Sequence, residues 1–321
     1  MPKRKLSILM HGGAKRVSIA RMFLEEARKS GLELDLYSWE LQPVVPIAEV
    51  ADIAVGRRCD DPLLLEDLHK FSLDKGIDIM IPFIDPAIGV VAKYRDLYGG
   101  IFAPLGSLDS VEGMFDKVVA AEIFEKAGLP IPATYSLDNH VFPIIAKPRF
   151  GSASQGILVI NSEKELEQIA GKTDGYLLQE YIEKREEITV DCYVATDGEI
   201  IATVPRLRIA VVGGEVSRTI TIDSPEIVEL SRKTLSALNL RGAVTLQFIR
   251  DLATGRILLM EINPRLGGGV VCSIHAGANM PRYILQEALG EKPQPCTNWL
   301  IDLEISRYQQ EVVFHKGNLI R

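Results

Sequence analysis

No run of about 18 apolar residues occurs in this chain, which excludes an apolar helix long enough to cross a bilayer. The opening M-P-K-R-K-L-S-I-L-M is too short in its apolar part for a signal peptide, so a soluble cytoplasmic protein is expected. Cysteine is scarce: four in 321 residues, at 59, 192, 272 and 296, with no C-x-x-C pair and no histidine at ligand spacing. That argues against structural disulfides and zinc alike. Positive charge is in deficit, 36 Lys and Arg against 43 Asp and Glu, and the net charge of −7 argues against nucleic acid as a bulk electrostatic partner. Both G-x-G-x-x-G and the Walker A loop are missing, which removes the usual dinucleotide and P-loop readings. With 47% hydrophobic residues the chain can nevertheless bury a large core, and its length calls for two domains or more.

What is present centres on Ala243 to Gly269. Two runs of β-favouring residues flank a turn cluster from Asp251 to Gly255, the pattern of a β-hairpin. A three-residue loop with Gly255 left-handed pairs Leu252 with Arg256 and, counting outward, sets Gln247 opposite Glu261. Val244, Leu246, Phe248, Leu258, Met260 and Ile262 then share an apolar face, while Gln247, Glu261 and Asn263 share the other. One carboxylate and two amide oxygens suit Mg²⁺, which takes few protein oxygens and completes its shell with water and substrate phosphates. Arg265 places a fixed positive charge beside them, implying an anionic substrate. Taken alone, the stretch is equally a hairpin whose outward face happens to carry Gln, Glu and Asn.

The N-terminal third alternates strands and helices: Leu6 to Met10, a glycine turn, a helix over Val17 to Ser30, and strands at Leu32 to Tyr37, Ala51 to Val55, Ile77 to Pro82 and Ile101 to Ala103. That order predicts a parallel α/β sheet, with a boundary near Pro104 to Leu108. Asp109 to Gly128 is expected as one helix carrying Lys117 on its surface. A strand ending in Lys147 runs into the small-residue loop Gly151 to Gly156, whose N–H groups can lie over phosphate oxygens; an ordinary hairpin loop reads the same. Tyr176 to Ile182 is a further strand, and Arg206, Arg208 and Arg218 bracket a loop at Val212 to Glu215. The tail carries few signals beyond edge strands near Ile301 to Ile305 and Glu311 to Phe314.

These pieces, in this order, resemble the ATP-grasp superfamily, in particular the ATP-grasp module of carbamoyl-phosphate synthase large subunits and small carboxylate-amine ligases. The resemblance implies an α/β fold of the α+β ATP-grasp kind. A parallel pre-ATP-grasp domain at 1–107 would be followed by α+β subdomains at 108–183 and 184–321, with ATP between the last two. It also implies that Lys117 and Lys147 hold phosphates while Gly151, Ser152 and Gly156 close over them. Gln179, Glu180, Tyr181 and Ile182 would form the segment that meets the adenine edge, with Glu187 on the ribose. Gln247, Glu261 and Asn263 would hold Mg²⁺, two ions with Mn²⁺ as a substitute, and Arg265 would steady an acyl-phosphate. Arg208 and Arg218 would serve the γ-phosphate or an acidic substrate, and His275 is a further candidate contact.

The implied reaction joins a small carboxylate to an amine or thiol through an acyl-phosphate and needs no Ser-His-Asp or Cys-His unit; a homodimer is expected on base rates alone. One rival is phosphorylation of bicarbonate or carbamate with a partner protein; another is a regulatory protein that binds ATP without turnover. A single ATP-grasp unit without a glutaminase signature speaks against a complete carbamoyl-phosphate synthase.

Overall fold

Short apolar runs closed by glycine or proline build the first sheet. A computed structural model describes residues 4–151 and 155–320. Strands β1 (Lys5–His11), β2 (Glu33–Glu40), β3 (Asp52–Val55) and β4 (Ile79–Pro82) form a four-stranded sheet in the order β3-β2-β1-β4, with every pair parallel. Helices α1 (Val17–Lys29), α2 (Leu64–Lys75) and α3 (Asp85–Tyr98) connect and cover it. The α3 pattern of Ile88, Val91 and Ala92 behind Pro86 is absent from the sequence reading, yet these three side chains are buried at helical spacing. The expected fifth strand is reduced to a bridge between Phe102 and Ile79. Pro104, two residues on, has no N–H with which to extend a ladder.

The single helix expected over 109–128 is two, α4 (Leu108–Glu112) and α5 (Lys117–Lys126). Asp116 causes the break: its side chain accepts from the N–H groups of Val118 and Val119, so it caps a new helix in place of continuing the old one. Lys117 therefore starts a helix rather than riding on its flank.

Strands β5 (Ile144–Pro148), β6 (Leu158–Ile160) and β7 (Tyr176–Glu180) form a small antiparallel sheet, order β6-β5-β7, with α6 (Glu163–Glu167) between β6 and β7 in the chain. The largest sheet, order β12-β11-β8-β9-β10-β13, uses β8 (Arg185–Val194), β9 (Ile200–Val212), β10 (Glu215–Thr221), β11 (Gly242–Asp251), β12 (Ile257–Asn263) and β13 (Glu304–Ser306). Helices α7 (Pro225–Ala237), α8 (Val270–His275) and α9 (Met280–Ala288) complete this part, and β14 (Phe314–His315) pairs with β15 (Asn318–Leu319) in the tail. No helix of the described residues is long and apolar enough to cross a membrane.

One apolar core joins the first sheet to the six-stranded one: Ile8, Phe23 and Ile79 share a buried cluster with Tyr193, Ala202 and Tyr283. At this junction the Ala243 N–H donates to the Pro104 carbonyl at 3.0 Å. Gly242 lies at φ 74° and an added Cβ would fall 1.9 Å from the Pro104 oxygen. Gly242→Ala should therefore destabilise the protein by at least about 1 kcal/mol, seen as a lower urea midpoint; an unchanged midpoint would mean the junction yields freely.

Candidate active site

The hairpin of β11 and β12 pairs Gln247 with Glu261 and Thr245 with Asn263, and Gly255 is left-handed at φ 76°. Its turn is one residue out of the expected register, because Arg250 pairs with Ile257 and the Asp251 N–H donates to the Arg256 carbonyl, so Leu252 does not pair with Arg256. A β-bulge opposite Gln247 and Phe248 restores the pairing at the polar end. It also exchanges side chains between faces. Leu259, not Leu258, joins Val244, Leu246, Phe248 and Ile262 in the core, while Leu258 and Met260 pack with Ile182 and Ile249. The row of oxygens is thus continued by an apolar platform which the sequence pattern did not reveal, since a bulge leaves no periodic signal.

Lys147, on β5, is only 8% exposed, and its Nζ donates to Gln179 Oε1 at 2.9 Å. Burial brings its pKa down to about 8; Glu261 opposes that shift, and Lys117 and Arg185 reinforce it. Lys117 reaches across the glycine-loop entrance, its Nζ donating to the Gly151 carbonyl at 2.7 Å. Asp116 holds the same entrance by accepting from Arg149 Nε at 2.7 Å. Gly151 and Gly156 both have positive φ, at 118° and 73°. Ser152 lies outside the described residues. Gln179 is buried, its Nε2 donating to the Pro132 carbonyl, and Glu180 is paired with Arg256 at 2.9 Å. The Arg185 guanidinium lies over the Tyr181 ring and donates to the Ile182 carbonyl.

Glu187 lies 3.4 Å from Arg185 and 3.7 Å from Arg208, and Arg208 donates to Gln247 Oε1 at 3.2 Å. Among the described residues, Arg208 Nε is buried without a hydrogen-bond partner. Arg265 donates to Asn263 Oδ1 at 3.2 Å and to Asp85 Oδ1 at 2.6 Å. Lys117, Gly151, Glu261, Asn263 and Asp85 line one cavity of about 140 Å³.

The three oxygen donors suit Mg²⁺ shared with a polyphosphate. Among the described residues no three His, Cys, Asp or Glu side chains cluster as a self-sufficient cation cage. A single carboxylate with two amides fits an ion that draws its remaining ligands from phosphate and water. The amide oxygens of Gln247 and Asn263 each keep a second lone pair beside the arginine contact.

Two expected arginines lie elsewhere. Arg206 and Arg208 sit within β9, not in a loop, because the strand runs on to Val212. Arg206 is buried against Asp191 at 2.8 Å, and Ser273 donates to the same carboxylate at 2.6 Å, so this guanidinium is already neutralised. Arg218, expected to be catalytic, is 53% exposed and paired with Glu304 on the edge strand β13, because bulges in the β9–β10 ladder turn it outward. It is not among the residues brought together here. His275 is exposed at the end of α8.

A family model described as "ATP-grasp in the biosynthetic pathway with Ter operon" matches residues 172–311. The D-alanine–D-alanine ligase of Acetivibrio thermocellus is 26% identical over 291 residues, covering 77% of this chain and 73% of that one. The carbamoyl phosphate synthase large chain of Bifidobacterium animalis subsp. lactis is 24% identical over 300 residues, covering 82% of this chain. The chain spans about a quarter of that relative's length, 26%. Among solved structures, the biotin carboxylase domain of Hydrogenobacter thermophilus 2-oxoglutarate carboxylase, a dimer in complex with MgADP, ADP and bicarbonate, superimposes with a TM-score of 0.72 at 20% identity. The match covers 90% of this chain and 71% of that one.

Proposed function

We propose that this chain, whose fold and order of motifs are those of the ATP-grasp superfamily, is an ADP-forming ligase that joins a small carboxylate to an amine, or to a thiol, through an acyl-phosphate. The observation that carries this reading is the convergence of Lys117, Glu261 and Asn263 on one cavity, with Lys147 near enough to Glu261 to feel its charge and Arg265 bonded to Asn263. Domain boundaries near 107 and 183 go with it, as does binding of nucleotide between the second and third units.

The residues divide the work by charge. Lys117 and Lys147 would hold α- and β-phosphates, and the Lys117 ammonium would exchange the Gly151 carbonyl for a phosphate oxygen. The platform of Ile182, Ile249, Leu258 and Met260 offers an apolar surface to a base, with Glu187 on the ribose side. Gln247, Glu261 and Asn263 would hold Mg²⁺, one ion or two, which neutralises the negative charge spread over the transferring phosphoryl group. A carboxylate oxygen of the acceptor attacks the γ-phosphorus and the β–γ bridging oxygen leaves with ADP. Attack of the amine nitrogen on the acyl carbon then expels phosphate, and Arg265 steadies the charge on the acyl-phosphate.

The test is phosphate release from Mg-ATP against pooled amino acids, small carboxylates, and bicarbonate with ammonia. Release that requires one acid and one amine pool supports the ligase. Release with bicarbonate alone would replace it with phosphorylation of bicarbonate or carbamate of the carbamoyl-phosphate synthase type, and ATP binding without turnover in any pool would favour a regulatory protein.

A further inference from the structure

Beyond the phosphate-binding groups, a second set of charges meets over the bare backbone of Gly268. Arg16, in the loop after β1, points Nη1 at Glu215 Oε1 from 3.5 Å. Arg307, just past β13, donates from Nη1 to Glu215 Oε2 at 2.9 Å. A Cβ on Gly268 would lie 3.1 Å from Arg16 Nη1, 3.5 Å from Glu215 Oε2 and 3.7 Å from Arg307 Nη1. Three distant segments therefore bring their charged ends to one residue, three positions after Arg265, and a Cβ there would crowd the Arg16 guanidinium by a few tenths of an ångström.

The balance of charge is uneven. Arg16 has a side chain only 13% exposed, and among the described residues its sole carboxylate contact is the long one to Glu215, which it shares with Arg307. Burial lowers the Arg16 pKa, Glu215 opposes this, and Arg265 and Arg307 add to the lowering, which places three guanidinium groups within electrostatic range of one another. Arg265 has its own partner in Asp85. A buried guanidinium sharing one distant carboxylate is under-neutralised, and a bidentate anion would satisfy it far better. The carboxylate now present belongs to the tip of the β9–β10 hairpin, directly after Gly213 and Gly214 at φ 58° and 78°. Val212 at the same tip is 70% exposed, whereas Val216, directly after Glu215, is buried and its carbonyl accepts from Arg307 Nη1 at 3.2 Å, so the anchored part of the hairpin begins just behind the carboxylate.

We propose that Arg16 and Arg307 bind a second carboxylate on the acceptor substrate, and that Glu215 is an internal stand-in which this carboxylate displaces. The inference rests on the ligase reading only for the first carboxylate, the one that Arg265 steadies. The acceptor is then a dicarboxylic acid, with or without an amino group, and not a simple monoacid. Displacing Glu215 releases the hairpin tip, so acceptor binding and hairpin position are coupled.

Two measurements test this, with succinate, glutarate, aspartate and glutamate as probes, butyrate and glutamine as monoacid controls, and 3-phosphoglycerate as the phosphate-bearing arm. In calorimetry with a non-hydrolysable ATP analogue and Mg²⁺, at least one dicarboxylate should bind at millimolar concentration or below and the monoacids about tenfold or more weakly. Arg16→Met should weaken that dicarboxylate by about 10- to 100-fold with nucleotide affinity unchanged, Arg307→Lys should weaken it less, and Glu215→Gln should tighten it. In steady-state ADP formation the same variants should shift KM far more than kcat. Equal binding of monoacids and dicarboxylates, preference for 3-phosphoglycerate, no dicarboxylate binding, or indifference to both Arg16→Met and Arg307→Lys would each overturn the proposal. Should Arg16→Met melt early, Arg307→Lys and Glu215→Gln still decide it. Arginine-dependent binding without ADP formation in the wild type would instead count against the ligase and leave this anion site standing.

Discussion

Glu261→Gln should leave the fold and nucleotide binding largely intact while lowering Mg²⁺-dependent ATP turnover by about a thousandfold or more. Glu261 is the one carboxylate among the three oxygen donors, since Gln247 and Asn263 are neutral and each already accepts from an arginine. In the proposed metal site, removing its charge would deprive the cation of the one anionic ligand among these three donors, at the point where phosphoryl transfer needs neutralisation most. A second effect accompanies the first. Glu261 opposes the lowering of the Lys147 pKa, so its loss should push that ammonium further below about 8 and move the pH dependence of ATP binding downward. Steady-state phosphate release and titration with Mg-ATP at several pH values measure both. Turnover within tenfold of the wild type would remove Glu261 from the metal site.

Lys147→Met should lower ATP affinity by about a hundredfold or more, because a buried charge-assisted contact to phosphate disappears, with little loss of stability. Burial lowers the folded pKa of Lys147 from 10.5 to about 8. Between those two values the unfolded chain binds more protons than the folded one, so the lysine makes stability rise with pH across that window. Below about pH 8 it is charged in both states and the burial penalty, at most about 3 kcal/mol, is present in full. Methionine removes that penalty but leaves Gln179 Oε1 without the Lys147 donor, costing about 1–3 kcal/mol. The melting temperature at pH 7 should therefore stay level or rise slightly, and the stability gain between pH 8 and 10 should vanish. In the wild type, ATP affinity should fall as pH rises through 8. Unchanged affinity in Lys147→Met would refute its role on phosphate.

Much of the molecule was legible because its signals are local. The parallel opening follows from short apolar runs with helices between them, and the Gln247–Glu261 pairing from two strands and a turn. Even there the turn was one residue out, and agreement at the metal end came from a bulge that no alternation pattern encodes. Helix α5 shows the opposite case: the sequence places Lys117 on the surface of one long helix, and only the bonds of Asp116 to Val118 and Val119 mark a cap that starts a new helix at Lys117. The arginines separate the two levels most clearly. Arg206, Arg208 and Arg218 are indistinguishable as letters, yet one is neutralised by Asp191, one touches Gln247 and one faces outward to Glu304.

By itself the sequence determined the elements, their order, and a set of lysines and oxygen donors whose types suit magnesium and polyphosphate, because helix period, strand alternation and turn chemistry act within a few residues. Tertiary structure alone decided which charges meet. Arg16, Glu215, Gly268 and Arg307 come together from 291 positions of chain through loop ends and sheet edges. Pairing over that distance depends on packing and closure, and no local pattern records it.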